Sequence, residues 1–380
     1  MKAMERITDH LRNRPLELDG MRSKGKKVVA HFVGDYLPTE IIYAAGAVPI
    51  GLVHGGDPAA VDASASVIFR HMCPFARSQY GYYELKENKY FQMYDLLAAP
   101  ITCQHLRRMA EVYEFYTDKA IFKLGIPQQW DGERGKAYYR QGLVELKERL
   151  EELTGNEVTE KKLIEAIGIY RRMRDLLKQI SELRKAPWLP ISTTDFIKLN
   201  HAAHLADPVF MVEALESLYA ELKGKEGAQV KGPRLLITGP NIAMGDYKVL
   251  DLIGKAGGVV VAEDIAEGVL FYWENVAAGG DPFDALAERY MMKRPNFSIN
   301  RPSMDRHFDF ILKLADDFSI NGIVWYQLKP CEAYNIDSFY LAELLKKRNP
   351  RLPMLKLEST YDMEDTGPLK TRIETFIETL

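Results

Sequence analysis

The chain has 380 residues, 47% of them hydrophobic and 27% charged, with a formal net charge of −3 and a pI near 6.3. That length accommodates two or three compact domains, and the near-balanced charge offers no cationic footprint for nucleic acid. No apolar run approaches the roughly 20 residues of a membrane span. Met1 to Lys27 lacks the uninterrupted apolar core of a secretion signal, so the expectation is a cytoplasmic chain without membrane or nucleic-acid partners.

Residues 1–25 read as a polar helical lead-in. Lys27-Val28-Val29-Ala30-His31-Phe32 is a short apolar run rich in β-branched residues, the pattern of a buried strand, and a helix is predicted over Pro38–Ala45. Further strands are predicted at Ala47–Val53, Tyr94–Pro100 and Ala120–Leu124. Strands alternating with helical stretches argue for βαβ units and a parallel sheet. From about Arg134 the texture changes. Leu143, Leu146, Leu150 and Leu153 recur at helical spacing, as do Leu163, Ile167, Tyr170, Leu177 and Ile180, with Thr159 placed to open the second run. This helical stretch is interrupted at Pro187-Trp188-Leu189-Pro190. Alternation resumes with strands at Arg234–Gly239, Gly258–Ala262, Ile323–Tyr326 and Met354–Leu357, and Gly254-Lys255-Ala256-Gly257-Gly258 reads as a helix-to-strand turn. The expected class is α/β. Its parts are a lead-in (1–25), a first α/β domain (26–133), a helical insert (134–232) and a second α/β domain (233–380). No G-x-x-x-x-G-K-S/T nucleotide loop occurs.

The chemistry-bearing residues are the three cysteines, Cys73, Cys103 and Cys331, 30 and 228 residues apart. They are too few and too scattered for a disulfide scaffold. Cys103 and Cys331 each sit just beyond a predicted strand, where ligands gather in open parallel sheets. Cys73 precedes Pro74, a favoured first helical residue, so its sulfur is expected at a helix N-terminus, whose partial positive charge favours thiolate. Spacing alone leaves other readings open. Free cysteines are often small buried hydrophobes, and no short C-x-x-C pair marks a zinc site. His71 and His105 lie close enough in sequence to Cys73 and Cys103 for a mixed Cys/His site.

The local sequences narrow the choice. Asp35-Tyr36-Leu37-Pro38-Thr39-Glu40-Ile41-Ile42-Tyr43-Ala44-Ala45-Gly46-Ala47-Val48-Pro49, the Cys73 segment, Thr102-Cys103-Gln104-His105, Cys331 with Tyr340-Leu341 beyond it, and the tail Gly367-Pro368-Leu369-Lys370-Thr371-Arg372-Ile373 occur in that order. Over nearly its whole length the chain resembles the 2-hydroxyacyl-CoA dehydratase family, which also contains the benzoyl-CoA reductase subunits, and it is most similar to the smaller subunit. The resemblance implies two flavodoxin-like or Rossmann-like parallel-sheet domains. Between them it implies one [4Fe–4S] cluster held by Cys73, Cys103 and Cys331. It also implies a related second subunit, an ATP-hydrolysing iron–sulfur activator that delivers one electron, and an acyl-CoA substrate dehydrated through a ketyl radical. Benzoyl-CoA reduction or electron transfer without substrate chemistry are the alternatives. Asp35 and Glu40 are the acid/base candidates, although Glu40 also suits an ion pair at the start of its helix. Two departures stand out. Gln104 replaces the acid usual after the second cysteine, and Val269-Leu270 follow Glu263-Asp264-Ile265-Ala266-Glu267-Gly268 where relatives often carry Ser or Arg.

Overall fold

The computed structural model describes residues 1–295 and 304–380. Four strands, β1 (Val28–Phe32), β2 (Val48–Leu52), β3 (Leu96–Ile101) and β4 (Ala120–Gly125), form a parallel sheet in the order β2-β1-β3-β4. Two short strands, β5 (Trp188–Leu189) and β6 (Ala228–Gln229), pair as an antiparallel ribbon. The second parallel sheet contains β7 (Arg234–Thr238), β8 (Val259–Asp264), β9 (Gly322–Leu328) and β10 (Met354–Ser359), in the order β10-β9-β7-β8. Counted from its own first strand, each sheet has the same order, 2-1-3-4. The chain therefore repeats one flavodoxin-like plan twice.

Burial follows the pleat. In β1 and β3, Val28, Ala30, Phe32, Leu97 and Ala99 face a core shared with Leu235, Ile237, Val324 and Tyr326 of the second sheet. Val29, Leu96 and Ala98 face the opposite side, against the helix Glu133–Thr154. On the far side of the second sheet, Leu236, Ile323 and Trp325 pack with the helices Glu160–Glu182 and Pro208–Leu222. Strands covered on both faces are apolar without interruption, which is why the sequence showed continuous runs rather than alternation.

Helices supply the rest. Lys2–Ser23 runs through Pro15 and docks on Pro208–Leu222, where Glu221 accepts from the Ala3 N–H at 3.0 Å. Thr159 caps Glu160–Glu182 through the Lys162 N–H. Among the described residues no helix is long and apolar enough to cross a membrane.

Two backbone approaches set the positions of the loops. In the helix Pro74–Leu85, a Cβ on Gly81 would lie 1.5 Å from the Ala60 carbonyl oxygen, so only glycine lets this helix cross Pro58–Ala63. Between the two units, Met244 donates to the Val53 carbonyl at 2.7 Å and accepts from the Gly55 N–H at 3.0 Å. Beside that joint, Gly56 (φ +79°) and Gly245 (φ +115°) meet so closely that a Cβ on Gly56 would sit 2.4 Å from the Gly245 carbonyl carbon.

Candidate functional site

In a sheet of order 2-1-3-4, the connections leaving the first and third strands diverge and open a crevice at their carboxyl ends. Residues from both crevices line a single cavity of about 110 Å³. Val33 and Gly34 follow β1, Thr102 and Cys103 follow β3, Pro240 and Asn241 follow β7, and Cys331 follows β9. Cys73 joins them from the long connection between β2 and β3. The structure thus brings the three cysteines to one cavity, which is walled otherwise by groups such as Phe75, Ala76, Leu106 and Ala266.

Each cysteine is the N-cap of its own helix: Cys73 of Pro74–Leu85, Cys103 of Gln104–Tyr116, and Cys331 of Glu332–Arg348. Three helix N-termini therefore point positive ends into one space. Burial is the larger influence on the free thiols. It pushes Cys73 up to about 11, while the Ala76 and Phe75 N–H groups pull the other way. Burial also raises Cys103 against the Leu106 and His105 N–H groups, and raises Cys331, with Cys73 adding to the effect. On the free thiol, burial therefore outweighs the pull of the helix end that favours thiolate at Cys73. A cation among the sulfurs would reverse the balance, since coordination ionises a thiol outright.

His105 lines the same cavity. Its Nδ1 accepts from the Cys73 N–H at 3.2 Å, and its Nε2 lies 3.7 Å from a Glu332 carboxylate oxygen. His71 is exposed, with its ring against Phe69 at 4.9 Å, and does not line the cavity. Among the described residues, no group of three or more His, Cys, Asp or Glu is placed to hold a metal ion.

Asp35 and Glu40 lie in a layer behind the cavity. Asp35 adopts a left-handed backbone (φ 57°), a conformation Asp tolerates better than most residues. Its carboxylate accepts two hydrogen bonds from Arg289, at 2.8 and 2.7 Å, and meets Arg294 at 3.4 Å. Burial raises its pKa, and the two guanidiniums offset this in part. Glu40 is fully buried. It accepts from Arg174 at 2.6 Å and from the Tyr290 hydroxyl at 2.7 Å. Burial alone would push it up, but Arg174 and Arg289 hold it below the usual glutamate range. Neither side chain lines the cavity, although their neighbours Gly34, Tyr36 and Arg294 do.

Sequence reasoning did not single out Asn241, Arg294 or the carboxylate of Glu267. Asn241 lines the cavity with its Nδ2 buried and without a protein hydrogen bond among the described residues. Glu267 follows Ala266 of the cavity wall. One of its oxygens accepts from the Ile242 N–H at 3.3 Å and the other has no partner among the described residues. An acid inside the apolar stretch Ile265–Val269 was the available signal. Burial, with Asp246 adding to it, pushes Glu267 up to about 8 from the ordinary 4.5. A raised folded pKa means the folded state holds the proton more tightly. The associated stability is complete below about pH 4.5 and lost as pH rises to about 8. Glu267→Gln will therefore flatten this pH dependence. It will exceed the parent chain near pH 9 by a few kcal/mol, at about 1.4 kcal/mol for each pH unit of the window. Urea unfolding near pH 5 and near pH 9 measures it, and parallel curves for the two proteins would refute it.

These features define a class, the twin flavodoxin-like α/β proteins with a cysteine-lined cleft between their two units. Residues 36–380 match the family model described as 2-hydroxyglutaryl-CoA dehydratase, D-component, and the chain belongs to that family. It is similar to YjiM of Escherichia coli strain K12, named as a candidate dehydratase subunit, with 27% identity over 91% of this chain and 89% of the relative. A benzoyl-CoA reductase subunit of Thauera aromatica is 23% identical over 93% of this chain and 91% of its own length. The (R)-phenyllactyl-CoA dehydratase beta subunit of Clostridium sporogenes is 24% identical, covering 91% of this chain and 90% of its own length.

Proposed function

We propose that this chain is one subunit of an enzyme that dehydrates an (R)-2-hydroxyacyl-CoA, and that Cys73, Cys103 and Cys331 hold one [4Fe–4S] cluster. The observation that carries the reading is the meeting of three thiols, remote in sequence, at the N-caps of three helices around one cavity. The donor set fits the group. Thiolates are the usual ligands of iron–sulfur clusters, and a cavity of about 110 Å³ is several times the roughly 10–15 Å³ that one water needs on the same measure. When bound, the cluster would supply a one-electron donor and a Lewis-acidic iron to the acyl-CoA carbonyl.

The chain's own residues prepare that site. The three helix ends stabilise the thiolates once a positive centre is present. Val33, Phe75, Ala76, Leu106 and Ala266 keep the walls apolar, which lowers a cluster's reduction potential by disfavouring added negative charge. Arg294, stacked at 3.9 Å on the Tyr36 ring, places a cation at the cavity wall. The relatives' names as subunits support a partner subunit, which we take to be a related one, and an ATP-hydrolysing iron–sulfur activator is proposed as the electron source on the resemblance alone. Reduction of benzoyl-CoA is the second reading, favoured by the benzoyl-CoA reductase relative at an identity comparable to that of the phenyllactyl-CoA dehydratase relative. Anaerobic purification of the full chain will give roughly four iron and four sulfide per chain. Zinc, or no metal after anaerobic reconstitution with iron and sulfide, would sink the proposal. Co-purification then identifies the partner. Turnover of 2-hydroxyacyl-CoA against benzoyl-CoA by the assembled enzyme and its activator separates the two readings.

A further inference from the structure

Two of the three cysteines occupy one topological position. Cys103 and Cys331 each follow the third strand of their unit and each cap the next helix, so the repeated plan places them without further help. Cys73 has no such twin. It arrives on the connection between β2 and β3, whose counterpart after β8 carries no cysteine. The duplicated plan is also broken two residues beyond the paired cysteines. His105 and Ala333 hold matching places and both line the cavity, but only one carries an imidazole.

That imidazole touches all three cysteine segments. It stands in the first turn of the Cys103 helix, accepts from the Cys73 N–H, and faces Glu332, the neighbour of Cys331. As an N-cap, Cys73 spends its N–H on no helical partner, and a half-buried N–H needs an acceptor. Because that N–H can only donate, Nδ1 must carry the lone pair. The neutral ring therefore bears its hydrogen on Nε2, toward the Glu332 carboxylate.

We propose that His105 is a positioning residue that clasps the Cys73 loop to the two cysteines set by topology, and so closes the three-thiol site. The inference rests on the cluster reading for its purpose, but the clasp belongs to the polypeptide and is measured without iron. In the iron-free full chain, His105→Leu will raise the rate at which a maleimide labels Cys73 roughly tenfold, the scale of one lost buried hydrogen bond. Cys103 and Cys331 will change by less than about twofold, because their backbone bonds lie elsewhere. His105→Asn, whose Oδ1 restores an acceptor near the place of Nδ1, will return Cys73 to within about twofold of the parent. His105→Leu will lower the melting temperature by no more than a few degrees, the scale of that one hydrogen bond, and His105→Asn will recover it, whereas a general loss of packing at residue 105 would lower both. In the iron-loaded chain a chelator will strip His105→Leu roughly tenfold faster than the parent or His105→Asn. Equal labelling of Cys73 in the parent and His105→Leu overturns the clasp and leaves the cluster untouched. A parent chain that binds no iron and sulfide overturns the cluster, with the labelling still deciding the clasp.

Discussion

Under the proposed cluster, single replacement of Cys73, Cys103 or Cys331 by alanine will leave a folded chain that holds no iron. Each sulfur sits at the end of a different helix, so no remaining thiol can move over to substitute for the missing one. The loss in metal affinity will exceed the 10–100-fold typical of a mutated outer-shell partner. The helices themselves will survive, because a cysteine N-cap that makes no side-chain capping bond adds little to its helix. Iron, sulfide and far-ultraviolet circular dichroism, measured on the same preparations, separate the two effects. Parental iron content in any one of the three variants would remove that cysteine from the ligand set.

Glu40→Ala will destabilise the chain by roughly 3–5 kcal/mol, the cost of leaving a buried charge without its partner. Arg174 is fully enclosed and donates to Glu40 and to the Tyr290 hydroxyl, with Tyr170, Phe271 and Tyr290 rings about its guanidinium. Removing the carboxylate leaves that cation, among the described residues, with the Tyr290 hydroxyl as its hydrogen-bond partner, aromatic faces around it and the charge of Asp35 further off. The paired change Glu40→Leu with Arg174→Met will recover most of the loss, because deleting both ions also deletes their desolvation penalty. The pH dependence has a definite sign. Glu40's folded pKa is depressed, so its contribution is present at neutral pH and is lost as pH falls through that lowered value, below the usual carboxylate range. Urea titrations of the single and double variants test this. A single-variant loss under about 1 kcal/mol would show that the pair is hydrated, unlike the fully enclosed geometry.

The strands were legible because a sheet buried on both faces writes itself as an apolar run. Val28–Phe32 and Gly322–Leu328 are buried throughout, and the sequence predicts strands there over Lys27–Phe32 and Ile323–Tyr326. The ribbon Trp188–Leu189 with Ala228–Gln229 was not legible, because two-residue strands carry no periodicity and one of them lies between prolines. The family was legible in ordered local stretches. The buried arginine layer was not. Arg174 is 134 residues from Glu40 and Arg289 is 254 residues from Asp35, and nothing local distinguishes them from surface arginines. Glu267 carried a local signal, an acid within an apolar stretch, but the environment that raises its pKa is completed by Ile242 and Asp246 of another loop.

The joint at Gly56 and Gly245 has a mechanical corollary. Where two α/β halves meet through side chains, rotamer changes let them slide or rock by fractions of an ångström. Here, beside the side-chain core that the two sheets share, main chain also lies on main chain, secured by the Met244 bonds to Val53 and Gly55. At that joint the spacing of the two halves is set by peptide dimensions, which side-chain changes in the surrounding core do not alter directly. A methyl group at either glycine would act as a shim driven between the halves, felt first at the mouth they share.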